Sequence, residues 1–125
     1  MRKALWIAGL VTVLGLSACG GGGGGTTTTC SASGTTLNVV AQNFSFDKSC
    51  YAVSAGQPFT VHFDNKDSVP HNFAIYTDST ASKPLSQPPT ITATTTSYQV
   101  SALSPGTYYF RCDTHTSMNG TFIVK

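Results

Sequence analysis

From about Thr35 onward, apolar and polar residues alternate with a period of two. Leu37, Val39 and Ala41 alternate with Asn38 and Val40, Phe44 and Phe46 bracket Ser45, and Phe59, Val61 and Phe63 alternate with Thr60, His62 and Asp64. The pattern returns in His71, Phe73 and Ile75, in Tyr108, Phe110 and Cys112, and in Phe122 and Val124. A period of two sends successive side chains to opposite faces, so each run predicts a strand with one face in a core. Turn formers separate the runs: Ser54-Ala55-Gly56-Gln57, Asn65-Lys66-Asp67, Ser104-Pro105-Gly106 and Met118-Asn119-Gly120. Residues 77–89, with Lys83-Pro84 and Pro88-Pro89, read as a long loop. No window carries a helical stripe. Six to eight short strands over about 90 residues predict an all-β fold, a Greek-key β-sandwich or barrel in one domain. On this reading Phe44, Phe46, Phe59 and Phe63 are core and His62 faces outward.

Composition agrees and removes several alternatives. Only 10% of the 125 residues are charged, against about 25% in an ordinary globular chain. There is no Glu, while Thr and Ser supply 19 and 14 residues. Coiled coils and charged helical bundles need Glu and Lys on their outer faces. Nucleic-acid binders cluster Lys and Arg. From residue 19 onward five basic side chains balance five acidic ones, so no nucleic-acid partner is expected.

The N-terminus reads as an address. Met1-Arg2-Lys3 is a positive start, and Ala4 to Leu16 is an apolar run of 13 residues, short for a membrane span. Leu16-Ser17-Ala18-Cys19 resembles the bacterial lipobox, which implies lipidation at Cys19 and export to the cell envelope on a lipid anchor. Residues 1–18 would then be a lipoprotein signal peptide. Six glycines from Gly20 to Gly25 and four threonines from Thr26 to Thr29 offer nothing to pack and carry a high ordering entropy. Residues 19–34 read as a lipid-anchored linker, and residues 35–125 as the folded domain.

Four cysteines complete the chemistry. With Cys19 lipidated, three remain, and an oxidising compartment pairs two of them. Cys30 and Cys50 are the natural disulfide, although sequence alone does not fix the connectivity. Cys112 is then a free thiol at risk of oxidation. It opens the run Cys112-Asp113-Thr114-His115-Thr116-Ser117-Met118, in which three soft or borderline donors fall within seven residues. Met118 is the one methionine after residue 19. His71, on the same strand face as Phe73 and Ile75, is a fourth donor aimed inward. One thiolate, two imidazoles and one thioether match a trigonal His₂Cys copper site with a weak axial Met. Zinc would need only Cys112, His71 and His115, and a cysteine nucleophile would need only a His base; neither accounts for Met118.

The chain here resembles the cupredoxins, or type 1 blue copper proteins, and most nearly those like amicyanin and plastocyanin. The resemblance rests on Pro70-His71-Asn72-Phe73, on Gly106-Thr107-Tyr108-Tyr109-Phe110-Arg111-Cys112, on the Cys-x-x-His-x-x-Met loop, and on Gly120-Thr121-Phe122-Ile123-Val124. It implies His71, Cys112 and His115 as equatorial copper ligands and Met118 as axial ligand. It implies that Asn72 holds the ligand loop and that Tyr108 is a structural corner residue. It also implies a monomeric one-electron carrier, not an enzyme, serving redox partner proteins of an envelope chain. Two departures stand out. Amicyanin-like loops carry proline where this chain has Asp113-Thr114 and Thr116-Ser117, which predicts a looser loop and a more polar surface beside His115. Arg111 stands where plastocyanins often have an aromatic, which removes a second electron exit there. The alternatives are a copper-binding module for delivery, buffering or resistance, and an adhesive surface domain whose donor set is vestigial.

Overall fold

Thr, Val, Phe and Tyr, the residues that suit an extended half-buried chain, recur through nine strands of the computed structural model, which describes residues 30–125. The expected signal peptide and Cys19 lie outside the described residues. The strands are β1 (Thr36–Gln42), β2 (Ser45–Phe46), β3 (Cys50–Val53), β4 (Phe59–Asn65), β5 (Ala74–Tyr76), β6 (Pro84–Ser86), β7 (Thr95–Val100), β8 (Gly106–Arg111) and β9 (Asn119–Val124). None of the described residues forms a helix.

Two sheets form, in the orders β2-β1-β4-β7 and β3-β9-β8-β5-β6. The chain crosses between the sheets several times, as from β2 to β3, β3 to β4 and β4 to β5, and the all-β Greek-key sandwich expected from the periodicity is the observed fold. Two pairings are parallel, β1 with β4 and β3 with β9. Leu37, Val39, Val61, Phe63, Phe73, Phe110 and Phe122 are among the side chains that fill the space between the sheets. Cys30 and Cys50 are joined as a disulfide with 20 residues of separation, fastening the start of the described chain to β3.

Several expectations are corrected. Phe44 is not core: it is 55% exposed, because β1 and β2 are joined by a two-residue turn in which Asn43 and Phe44 both take positive φ, 54° and 56°. The loop expected over residues 77–89 contains β6, an edge strand that tolerates Pro84 because an edge position can spare an N–H. β7 carries no apolar stripe in the sequence because its Thr, Ser and Gln lie at the other sheet's edge, where three of its six residues are exposed. Every residue from His71 to Tyr76 is buried, so the alternation there does not mark an exposed face.

Gly120 shows how closely β8 and β9 approach. It lies opposite Phe110 in the β8–β9 register. A Cβ at Gly120 would stand 2.3 Å from the Ser49 carbonyl oxygen and 2.5 Å from the Phe110 ring.

Candidate metal centre

The centre is built from two segments that enter from different parts of the chain. The first runs from the end of β4 to the start of β5. There His71 pairs with Ile91, exchanging backbone bonds of 3.0 and 2.9 Å that fix its position. The second is the loop between β8 and β9. The Cys112 N–H donates to the Met118 carbonyl and the Met118 N–H to the His115 carbonyl, each at 2.9 Å. The loop is thus folded on itself, and its three candidate donor residues are held as one unit.

His71 and Cys112 are fully buried, Met118 is buried and His115 half-buried. His71 Nδ1 lies 3.1 Å from His115 Nδ1. Cys112 Sγ lies 3.6 Å from His71 Nδ1 and 3.9 Å from His115 Nδ1. A first-row ion bonds nitrogen at about 2.0 Å and sulfur at about 2.3 Å, so a planar three-donor site separates its donors by about 3.5–3.7 Å. The sides of the triangle formed by these three residues, 3.1, 3.6 and 3.9 Å, bracket that size. One thiol, two imidazoles and a buried thioether in the same loop are the soft and borderline donors copper takes.

Neighbouring groups orient the candidate donors. His71 Nε2 donates to Asp67 Oδ2 at 2.8 Å, which leaves Nδ1 facing Cys112 and His115. A carboxylate behind a metal-facing imidazole fixes the ring and its tautomer. The same Asp67 accepts the N–H groups of Asn43 and Phe44 at 2.7 and 2.9 Å. The Phe44 N–H does most to hold the Asp67 carboxyl below its usual pKa; burial opposes, and His71 and Asn43 reinforce.

Asn72, expected to hold the ligand loop, does so in both directions. Its Oδ1 accepts the Asp113 N–H at 2.8 Å, and its Nδ2 donates to Asp113 Oδ2 at 2.8 Å. The neighbours of His71 and Cys112 are therefore latched to each other. Asp113 also accepts from Tyr76 Oη, from Arg111 Nε at 3.2 Å and from Gln87 Nε2 at 3.3 Å. Burial pushes the Asp113 pKa up, but the bonds from Asn72, Tyr76, Arg111 and Gln87 outweigh it and the net shift is downward. Thr114 adds a hydroxyl that donates to the Pro70 carbonyl at 3.0 Å and lies 3.2 Å from Cys112 Sγ. The loop lacks prolines, and side-chain hydrogen bonds fasten it instead.

A sequence model of the Cupredoxin-like domain matches residues 7–124. The chain belongs to the cupredoxin-like family. Cupredoxins bind one copper and carry electrons. Among solved structures, this cupredoxin is similar to dithionite-reduced auracyanin from Roseiflexus castenholzii, with TM-score 0.67 and 23% identity over 76% of this chain and 99% of that one. It is similar to auracyanin A of Chloroflexus aurantiacus, described as a "blue" copper protein, with TM-score 0.63 and 22% identity over 74% and 99% of the two chains. Amicyanin from Paracoccus versutus follows at 0.54 and 21%, over 72% and 81%. At these identities the likeness shows the fold. No curated protein matches the chain.

Sequence reasoning missed Asp67, Thr114 and Phe44 around this cupredoxin site. Asp67 stands four residues before His71 and Thr114 directly before His115. That proximity was the available signal.

Proposed function

We propose that this cupredoxin carries single electrons through one copper ion held by His71, Cys112, His115 and Met118. The observation that supports the reading is the donor triangle: three ligating atoms from segments 41 residues apart lie within 4.8 Å of one another. Bound there, copper supplies a couple between Cu(I), which favours sulfur, and Cu(II), which accepts imidazole. The chain supplies the rest. Asp67 and Ile91 fix His71, Asn72 and Asp113 latch the two ligand segments, and burial keeps the Cys112 thiol from oxidants. Donors held in place before the metal arrives need little rearrangement when its charge changes. His115 is the candidate ligand nearest solvent and is the port for electrons to partner proteins.

We place the protein on the cell envelope, lipidated at Cys19 and tethered by residues 19–34, whose Cys30 is pinned to β3 by the disulfide, with residues 35–125 as a monomeric electron carrier that is not an enzyme. The lipobox-like Leu16-Ser17-Ala18-Cys19 supports that placement.

Titration of the full chain with Cu(II) tests the function. We expect one equivalent to give an intense blue thiolate-to-copper band that bleaches and returns through a reduction cycle. Cys112→Ser should fold and remain colourless. A colourless wild type that takes up only Cu(I) would transfer the reading to copper delivery.

A further inference from the structure

Phe44 is the large apolar side chain left exposed among the described residues, at 55%. It occupies the second central position of the turn between β1 and β2, where φ is +56° after +54° at Asn43. Turns of this kind need positive φ at both central residues, which suits Asn and Gly and penalises a residue carrying a ring. Glycine there would relax the backbone and remove an apolar group from water. The phenyl ring thus costs the fold twice, in strain and in exposure, and it fills no core.

What the ring touches is the centre. It stands edge-to-face with His71 at 5.6 Å and with His115 at 5.1 Å, both at 83°. Asp67 holds the arrangement together. One carboxylate accepts the N–H groups of Asn43 and Phe44 and the Nε2–H of His71. The turn that carries Phe44 and the imidazole beneath it are therefore positioned by a single group. Strained backbone persists where the surroundings over-determine it, and such strain concentrates at functional sites.

We propose that Phe44 is a cap on the metal centre, retained against its conformational cost because it keeps water and competing ligands off the two imidazoles. The proposal rests on the copper reading above and adds a residue outside the ligand-bearing segments. Losing two edge-to-face aromatic contacts and opening the imidazoles to solvent should speed metal exit by at least about tenfold.

The test uses the full chain loaded with one copper, as wild type, Phe44→Gly, Phe44→Asn and Phe44→Tyr. Three quantities are read: the visible spectrum, the rate at which bathocuproine disulfonate strips the reduced metal, and the urea midpoint of the copper-free protein. The Gly and Asn variants should stay blue and lose copper at least about tenfold faster than wild type. Their copper-free midpoints should stay level or rise, because the turn is relaxed. Phe44→Tyr should keep the wild-type stripping rate. Wild-type stripping rates in both ring-less variants would overturn the proposal. So would a fall in their copper-free midpoints alongside faster stripping, since that reports general loosening. A wild type that never turns blue would sink the copper reading itself, and would be seen before any variant is compared.

Discussion

Replacing Gly120 by Ala should damage this protein far more than one methyl group suggests. The added carbon would lie 2.3 Å from the Ser49 carbonyl oxygen, about 1 Å inside ordinary van der Waals contact, and 2.5 Å from Phe110 Cζ. Neither neighbour can retreat easily. The Ser49 carbonyl is bonded by the Thr121 N–H at 3.0 Å. The Phe110 ring is fully buried and packed against Phe46, Tyr51 and Phe73 at centroid distances of 5.4, 5.1 and 5.0 Å. Overpacking a tight core costs about 1–3 kcal/mol and occasionally more. Two simultaneous overlaps, one with backbone, place this case near about 3 kcal/mol, a large share of the 5–15 kcal/mol that holds a typical domain folded. Urea denaturation of the copper-free protein measures it. With a slope of roughly 1–1.5 kcal/mol per molar, the midpoint should drop by about 2–3 M. A drop under about 0.5 M, with copper uptake intact, would refute the claim that Ser49 and Phe110 leave no room at this position.

Removing the Cys30–Cys50 disulfide by a double Ala substitution should cost about 3 kcal/mol, from the 20-residue separation it closes, and leave the blue spectrum unchanged; urea midpoints with parallel spectra check both. Met118→Gln should retain copper but lower its reduction potential, because a harder axial oxygen favours Cu(II); potentiometry decides, and an unchanged potential would argue against axial coordination. Asp113→Ala should destabilise the copper-free protein by about 2 kcal/mol or more, since Asn72 and the Tyr76 hydroxyl lose a shared acceptor. That deficit should depend on pH in one direction. The Asp113 pKa is depressed in the folded state, so its contribution is complete above the ordinary carboxylate pKa and is lost as pH falls through the depressed value. Wild type and variant should therefore converge in acid, and urea midpoints across the carboxylate range will show whether they do.

Much of this molecule was legible in one dimension. β1, β4, β8 and β9 announce themselves because one face of each is apolar and the other polar. The donor set is readable because His71 sits in an apolar run and three other donors crowd into the loop after β8. What stayed hidden depends on contacts between distant segments. Phe44 and Phe46 look alike in sequence, yet positive backbone angles in a two-residue turn carry one out to solvent while the other packs against the core. Asp113 looks like a loop residue, and only the fold brings Tyr76 and Gln87 to its carboxylate across 37 and 26 residues. β7 lacks an apolar stripe because an edge strand with one wet face needs little of one.

The parallel ladder between β3 and β9 joins residues 50–53 to residues 121–124, and this sets a timetable for biosynthesis. Residues 50–53 are synthesised well before their β9 partners, and β9 is the last of the described strands in chain order. Pairings this remote along the polymer form late, because the intervening chain must first surrender its freedom. A stalled or proteolytically clipped product ending before Asn119 would lack β9's hydrogen bonds to both β3 and β8. Such a product would keep His71, Cys112, His115 and Met118 yet lose the strand that follows the loop bearing three of them.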